Sequence, residues 1–131
     1  MEFSLDNIKD AHATFTGVDF PKLIQVFKQM DMVTNTFNLQ SGKVTYVHRA
    51  GEQIEVQARA VDEPINATSS SDEAKDILYR HQAGETDFPT FCREIAGAGV
   101  YKWVSNMDEM TCSYYDLNDN HVIVEAIPGV V

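Results

Sequence analysis

The sequence is short of cysteine, of basic residues and of long apolar runs. Its 131 residues hold two cysteines, one tryptophan and ten lysines and arginines against twenty acids. Two cysteines cannot make a disulfide framework, so reduced thiols and a cytoplasmic setting are the expectation. The formal charge of −10 opposes nonspecific binding to nucleic acid backbones and to anionic membranes, both of which are negative. No run of 18 apolar residues is present, so no membrane-spanning helix is expected. Glu2 and Asp6 interrupt the N-terminal apolar pieces, unlike the basic and then apolar start of a secretory signal. There is no glycine-rich phosphate loop, no nucleophile elbow and no paired zinc-binding cysteines. No cofactor and no metal are therefore expected.

What the chain does contain is an internal repeat. Asp19-Phe20-Pro21 returns as Asp87-Phe88-Pro89, an offset of 68 residues that also lays Asn38 on Asn106, Tyr46 on Tyr114 and Val56 on Val124. Ile8 and His12 fall on Ile77 and His81 once the first copy is allowed one extra loop residue. A chain of this length, 44% apolar and 23% charged, can bury a core, whereas each half alone would bury too little.

Each half carries the same order of periodicities. Ser4 caps a first helix with the stripe Leu5, Ile8, Ala11 or His12, and Phe15, ended by Gly17. Asp19 caps a second, with Pro21 in its first turn and Phe20, Leu23, Ile24, Phe27 and Met30 facing inward. Strands follow over 33–40, 43–49 and 53–59, and short turns at Ser41-Gly42 and Ala50-Gly51 imply an antiparallel meander. After a connector at 61–69, Ser70 and Glu73 offer a capping box to a third helix that stops near Gly84. Asp87 caps a fourth, ended by Gly97 and Gly99, and strands follow near 100–106, 110–116 and 121–127. The expected fold is α+β: a single domain, 1–131, of two related halves, about 1–60 and 70–131. Each half is two helices followed by a three-stranded antiparallel meander.

The repeat also weighs the candidate chemistry. Cys92 lies near a helix N-terminus, where a thiol can be activated, but it occupies the position of Ile24 on an apolar stripe. Cys112 maps onto Val44 in the same way. Both read as packing residues, and no catalytic residue is assigned. Asp116, Asn118 and Asn120 imitate the start of a calcium loop. His121 and Ile127 stand where such a loop requires glycine and a bidentate glutamate, so a polar hairpin turn is expected instead. His12 and His81 sit in the last turns of equivalent helices, where a histidine suits the negative helix end or packs beside the core. If the halves bring them together, they become polar groups of a ligand site with the capping Asp19 and Asp87.

The segment Thr86-Asp-Phe-Pro-Thr-Phe-Cys-Arg93, with Ala98-Gly-Val100, Lys102-Trp-Val104, Met110-Thr-Cys-Ser-Tyr-Tyr-Asp116 and Val124-Glu125, resembles the YbcV-like family. Ile8-Lys-Asp-Ala-His12 and Asp19-Phe-Pro21 extend the likeness into the first half, while Asp31-Met32 stands where Gly-Val would be expected. These are small bacterial and phage-associated proteins of unknown function, so the resemblance implies a fold and a link to phage or mobile elements. The functional expectation is a non-enzymatic, acidic, cytoplasmic binding module that acts on a protein partner, without nucleic acid or membrane. The alternative is a small-molecule-binding protein or enzyme with its site between the two halves, using His12, His81, Asp19 and Asp87.

Overall fold

A computed structural model of the chain describes residues 1–16 and 19–129. Helices α1 (Leu5–Phe15) and α2 (Phe20–Gln29) precede strands β1 (Met32–Asn38), β2 (Lys43–His48) and β3 (Gln53–Gln57). Helices α3 (Ser71–Gln82) and α4 (Phe88–Gly97) precede β4 (Lys102–Asn106), β5 (Thr111–Tyr115) and β6 (His121–Ala126). The α+β order expected from periodicity is the order observed. The six strands form one antiparallel sheet in the order β3-β2-β1-β4-β5-β6, so the two meanders join through β1 and β4.

The helix starts follow from their caps. Ser4, Asp19, Ser70 and Asp87 accept hydrogen bonds from the amides of Asn7, Lys22, Glu73 and Thr90, satisfying donors that a helix cannot pair internally. The amide of Ser70 donates to the Ala98 carbonyl, so this cap holds the connector against the end of α4. Thr16 is the C-cap of α1, and the expected stop at Gly17 lies outside the described residues.

Helix α2 ends with Asp31 at φ 58°, and its repeat counterpart after α4 is Gly99 at φ 92°. Both halves thus use a left-handed residue to turn helix into strand, which glycine adopts freely and aspartate tolerates. This accounts for the departure at Asp31-Met32 and puts the start of β1 at Met32. At Gly99 the requirement is twofold, because a β-carbon there would lie 2.5 Å from Ser69 Cα.

Alternation along the strands gives the sheet two unlike faces. Toward the helices point Phe37, Val44, Tyr46, Ile54, Val56, Trp103, Cys112, Tyr114 and Ile123, packed with Ile8, Leu23, Ile24, Phe27, Ile77, Leu78, Phe91 and Ile95. The opposite face carries Thr34, Thr36, Asn38, Thr45, Val104, Asn106 and Ser113 and is left open. Tyr114 and Tyr115 divide as alternation requires: Tyr114 is buried and Tyr115 lies on the open face beside Lys102.

One sequence match fails. Pairing shifts by a residue between Tyr114 and Tyr115 at a bulge in β6, so Tyr46 faces Ile54 and Tyr114 faces Ile123. Ile123, not Val122, is therefore the counterpart of Ile54, and Val124 no longer matches Val56. Val124 is turned outward and is 56% exposed. A single inserted residue exchanges the faces of a strand, which a fixed offset cannot register.

Candidate functional site

The two histidines enter separate helix pairs. His12 Nε2 lies 2.9 Å from the Tyr46 hydroxyl and Nδ1 2.8 Å from Thr16 Oγ1, with the Phe27 ring edge-on at 5.5 Å. Burial lowers the affinity of His12 for a proton and pushes the Tyr46 hydroxyl up to about 12. His81 stacks on Phe91 at 4.4 Å, and its Nδ1 lies 3.0 Å from the Thr86 carbonyl. No hydrogen bond or ring contact joins His12 to His81 among the described residues.

The two aspartates serve first as caps. Asp19 receives the Lys22 amide at 3.2 Å, with the Lys22 ammonium at 3.9 Å. Asp87 receives the Thr90 amide at 2.8 Å. Hydrogen bonds from Thr90 hold the Asp87 carboxyl below the usual range, with smaller pulls from Arg93 and His81. Asp87 and His81 are thus neighbours at one end of the α3–α4 pair, and His12 and Tyr46 are partners in the other. Tyr46 was visible in the sequence only as the counterpart of Tyr114, and nothing there tied it to His12.

The thiols are free and buried. Desolvation pushes Cys92 up to about 11 and raises Cys112, the reverse of what a nucleophile needs at neutral pH. Asp116 Oδ1 accepts the amides of Asn118 and Asn120, which folds that run into a hairpin turn. Among the described residues no three His, Cys, Asp or Glu side chains gather closely enough to hold a metal ion.

Two features lie where the halves meet. On the helix side, Phe37 of β1 pairs with Trp103 of β4 and the rings stack at 5.0 Å. Phe88, at the head of α4, meets both rings edge-on at 5.6 and 6.2 Å, while His81 and Phe91 back the cluster. Phe88 remains 46% exposed, so the cluster reaches the surface.

On the open face, Thr36, Asn38, Ser41, Lys43, Thr45, Tyr101 and Lys102 line a depression of about 280 Å³. Lys102 is fixed by Asp119 at 3.2 Å and by the rings of Tyr101 and Tyr115 at 5.2 and 5.1 Å. The hydroxyl of Tyr101 donates to the same Asp119 carboxylate. Sequence reasoning passed over both lysines, because they are far apart in the chain and are not counterparts in the repeat.

This is a pseudo-twofold α+β domain with one helix-covered and one open sheet face, and with features of both halves at their seam. The chain belongs to the family described as "Protein of unknown function (DUF1398)", whose model matches residues 9–126. The resemblance in the sequence likewise implied a family of unknown function. The chain is similar to the uncharacterized protein YcgX of Escherichia coli (strain K12), 27% identical over 63 residues, 48% of this chain and 47% of that protein. It is also similar to the uncharacterized proteins Mb2035 of Mycobacterium bovis and Rv2012 of Mycobacterium tuberculosis. Each is 27% identical over 101 residues, 76% of this chain and 62% of the relative. The chain therefore spans about half of the first relative and under two thirds of the others. No helix among the described residues is long and apolar enough to cross a membrane.

Proposed function

We propose that the chain is a non-enzymatic, acidic binding module that engages a basic protein partner through the aromatic cluster around Phe88. The observation that carries this reading is the 46% exposure of Phe88 over a stack of Phe37 and Trp103 contributed by both halves. An aromatic ring held by other rings loses little freedom on binding and suits the centre of an interface. A net charge of −10 favours a basic partner and makes the encounter sensitive to salt. The buried free thiols fit a reducing, cytoplasmic setting, while kinship with YbcV-like proteins and phage or mobile-element origin rest on sequence resemblance alone.

The test is capture from native lysate with the wild-type chain and with Phe88→Ala in parallel. A basic protein retained by the first, lost from the second and released by moderate salt supports the reading. Equal capture by both baits rejects it.

A second reading is favoured by the depression on the open face, since both halves line it. There the chain binds a small molecule across the seam. The candidates His12, His81, Asp19 and Asp87 belong to the helix layer and are not among the residues that line this depression.

A further inference from the structure

The open face differs in charge from the rest of the molecule. Of the chain's twenty acids, only Glu55 projects from a strand onto this face, and Asp119 reaches it from the turn before β6; Lys43 and Lys102 lie there with them. Both lysines line the seam depression, and none of its lining residues is acidic.

The repeat makes this placement specific. Lys43 has Thr111 as its counterpart at the 68-residue offset, and Lys102 has Thr34. Each half thus supplies one lysine and one threonine at these positions, but not at the same ones. Asn38 pairs with Lys102, and the β1–β2 register carried one residue beyond Phe37–Val44 sets Lys43 on its other side. The antiparallel seam therefore gathers both lysines at one pole around Asn38. The counterpart pole, around Asn106, receives Thr34 and Thr111. The two poles share a backbone arrangement, and only one carries lysines, each beside a carboxylate.

The surrounding groups are donors. Asn38 Oδ1 is taken by the amides of Gln40 and Ser41, which leaves its NH₂ as the free side of the amide. Thr36, Ser41 and Thr45 add hydroxyls. Among the described residues Lys43 is held only by Glu55 at 3.6 Å, with both side chains half exposed, a pair weak enough for a ligand anion to displace. Lys102 is held between two rings and paired with the exposed carboxylate of Asp119 at 3.2 Å, so its ammonium is already ordered and a ligand anion shares or displaces that partner.

We propose that this depression binds a small phosphorylated polyol, its anionic group between Lys43 and Lys102 and its hydroxyls on Thr36, Asn38, Ser41 and Thr45. The proposal rests on the small-molecule reading above and names its ligand class. It is independent of the Phe88 surface.

The probes are ribose 5-phosphate, ribose and inorganic phosphate, titrated into the full chain while backbone amide resonances are followed. Ribose 5-phosphate is expected to move the amides of 36–45 and 101–103. Lys43→Gln and Lys102→Gln are each expected to weaken it about tenfold, the loss of one charge-assisted hydrogen bond, and Lys75→Gln to leave it unchanged. Unchanged thermal midpoints in the variants confirm that they fold. Ribose moving the same amides with no loss in the lysine variants overturns the anionic ligand and keeps the small-molecule reading. Inorganic phosphate acting as strongly as the ester overturns the polyol. No response to any probe overturns both the proposal and the reading beneath it.

Discussion

Thr36 pairs with Val104 at the centre of the seam, and each is the other's counterpart in the repeat. The approximate twofold axis therefore passes between them. On one side of it Phe37 faces Trp103, and on the other Asn35 faces Ser105. A sequence offset of 68 and a strand register set by hydrogen bonding describe the same symmetry. The side chains then break it, with the aromatic stack and the lysine pair both on the Asn38 side.

Unfolding is expected to be a single transition, because each half near 60 residues is marginal alone and the Phe37–Trp103 stack ties them together. Trp103 is the sole tryptophan and reports the seam, whereas circular dichroism reports all helices and strands. The two probes should give coincident denaturation curves. Separate midpoints would show that the halves are independent units.

Gly99→Ala is expected to cost about 3 kcal/mol, combining left-handed strain with the clash against the Ser69 backbone. Gly51→Ala shares the positive φ but meets nothing within 4 Å, so about 1 kcal/mol is expected. Denaturant midpoints of the pair separate the two effects, and equal costs would remove the role given to Ser69.

His12 gives the stability a pH dependence of defined sign. Burial lowers its pKa, so the folded chain holds the imidazole neutral where the unfolded chain has already taken up a proton. Its contribution is complete above the ordinary value near 6.5 and is lost as pH falls through the lower, folded value. The stability difference between wild type and His12→Gln should therefore shrink from pH 7.5 to pH 5. Tyr46→Phe should cost about 1 kcal/mol at pH 7.5 by leaving His12 Nε2 unpaired.

Cys92 should alkylate slowly. With its thiol pushed up to about 11, the rate should climb with pH through pH 9 without levelling off. Against the ordinary thiol value of 9.0, the thiolate fraction at neutral pH is lower by roughly 100-fold. Fast labelling near neutrality would restore Cys92 as a candidate nucleophile.

Helix and strand order was legible because it is local. Ser4, Asp19, Ser70 and Asp87 cap helices through bonds to residues three positions on, and Ile54 and Val56 alternate with polar neighbours. The strand pattern runs two residues past the ends of β1 and β3 and starts two before β4, since pairing rather than pattern sets a strand's limits. The bulge in β6 was invisible because it exists only as a register against β5.

The sequence by itself determined the repeat, the α+β order, the four helix caps and the acidic balance, all of which depend on near neighbours or on composition. Only the tertiary structure decided that β1 pairs with β4, that His12 bonds to Tyr46 while His81 stacks on Phe91, and that Lys43 and Lys102 flank one asparagine. Those contacts join residues far apart in the chain. A strand register and the face a side chain takes are properties of the assembled sheet, and no local pattern encodes them.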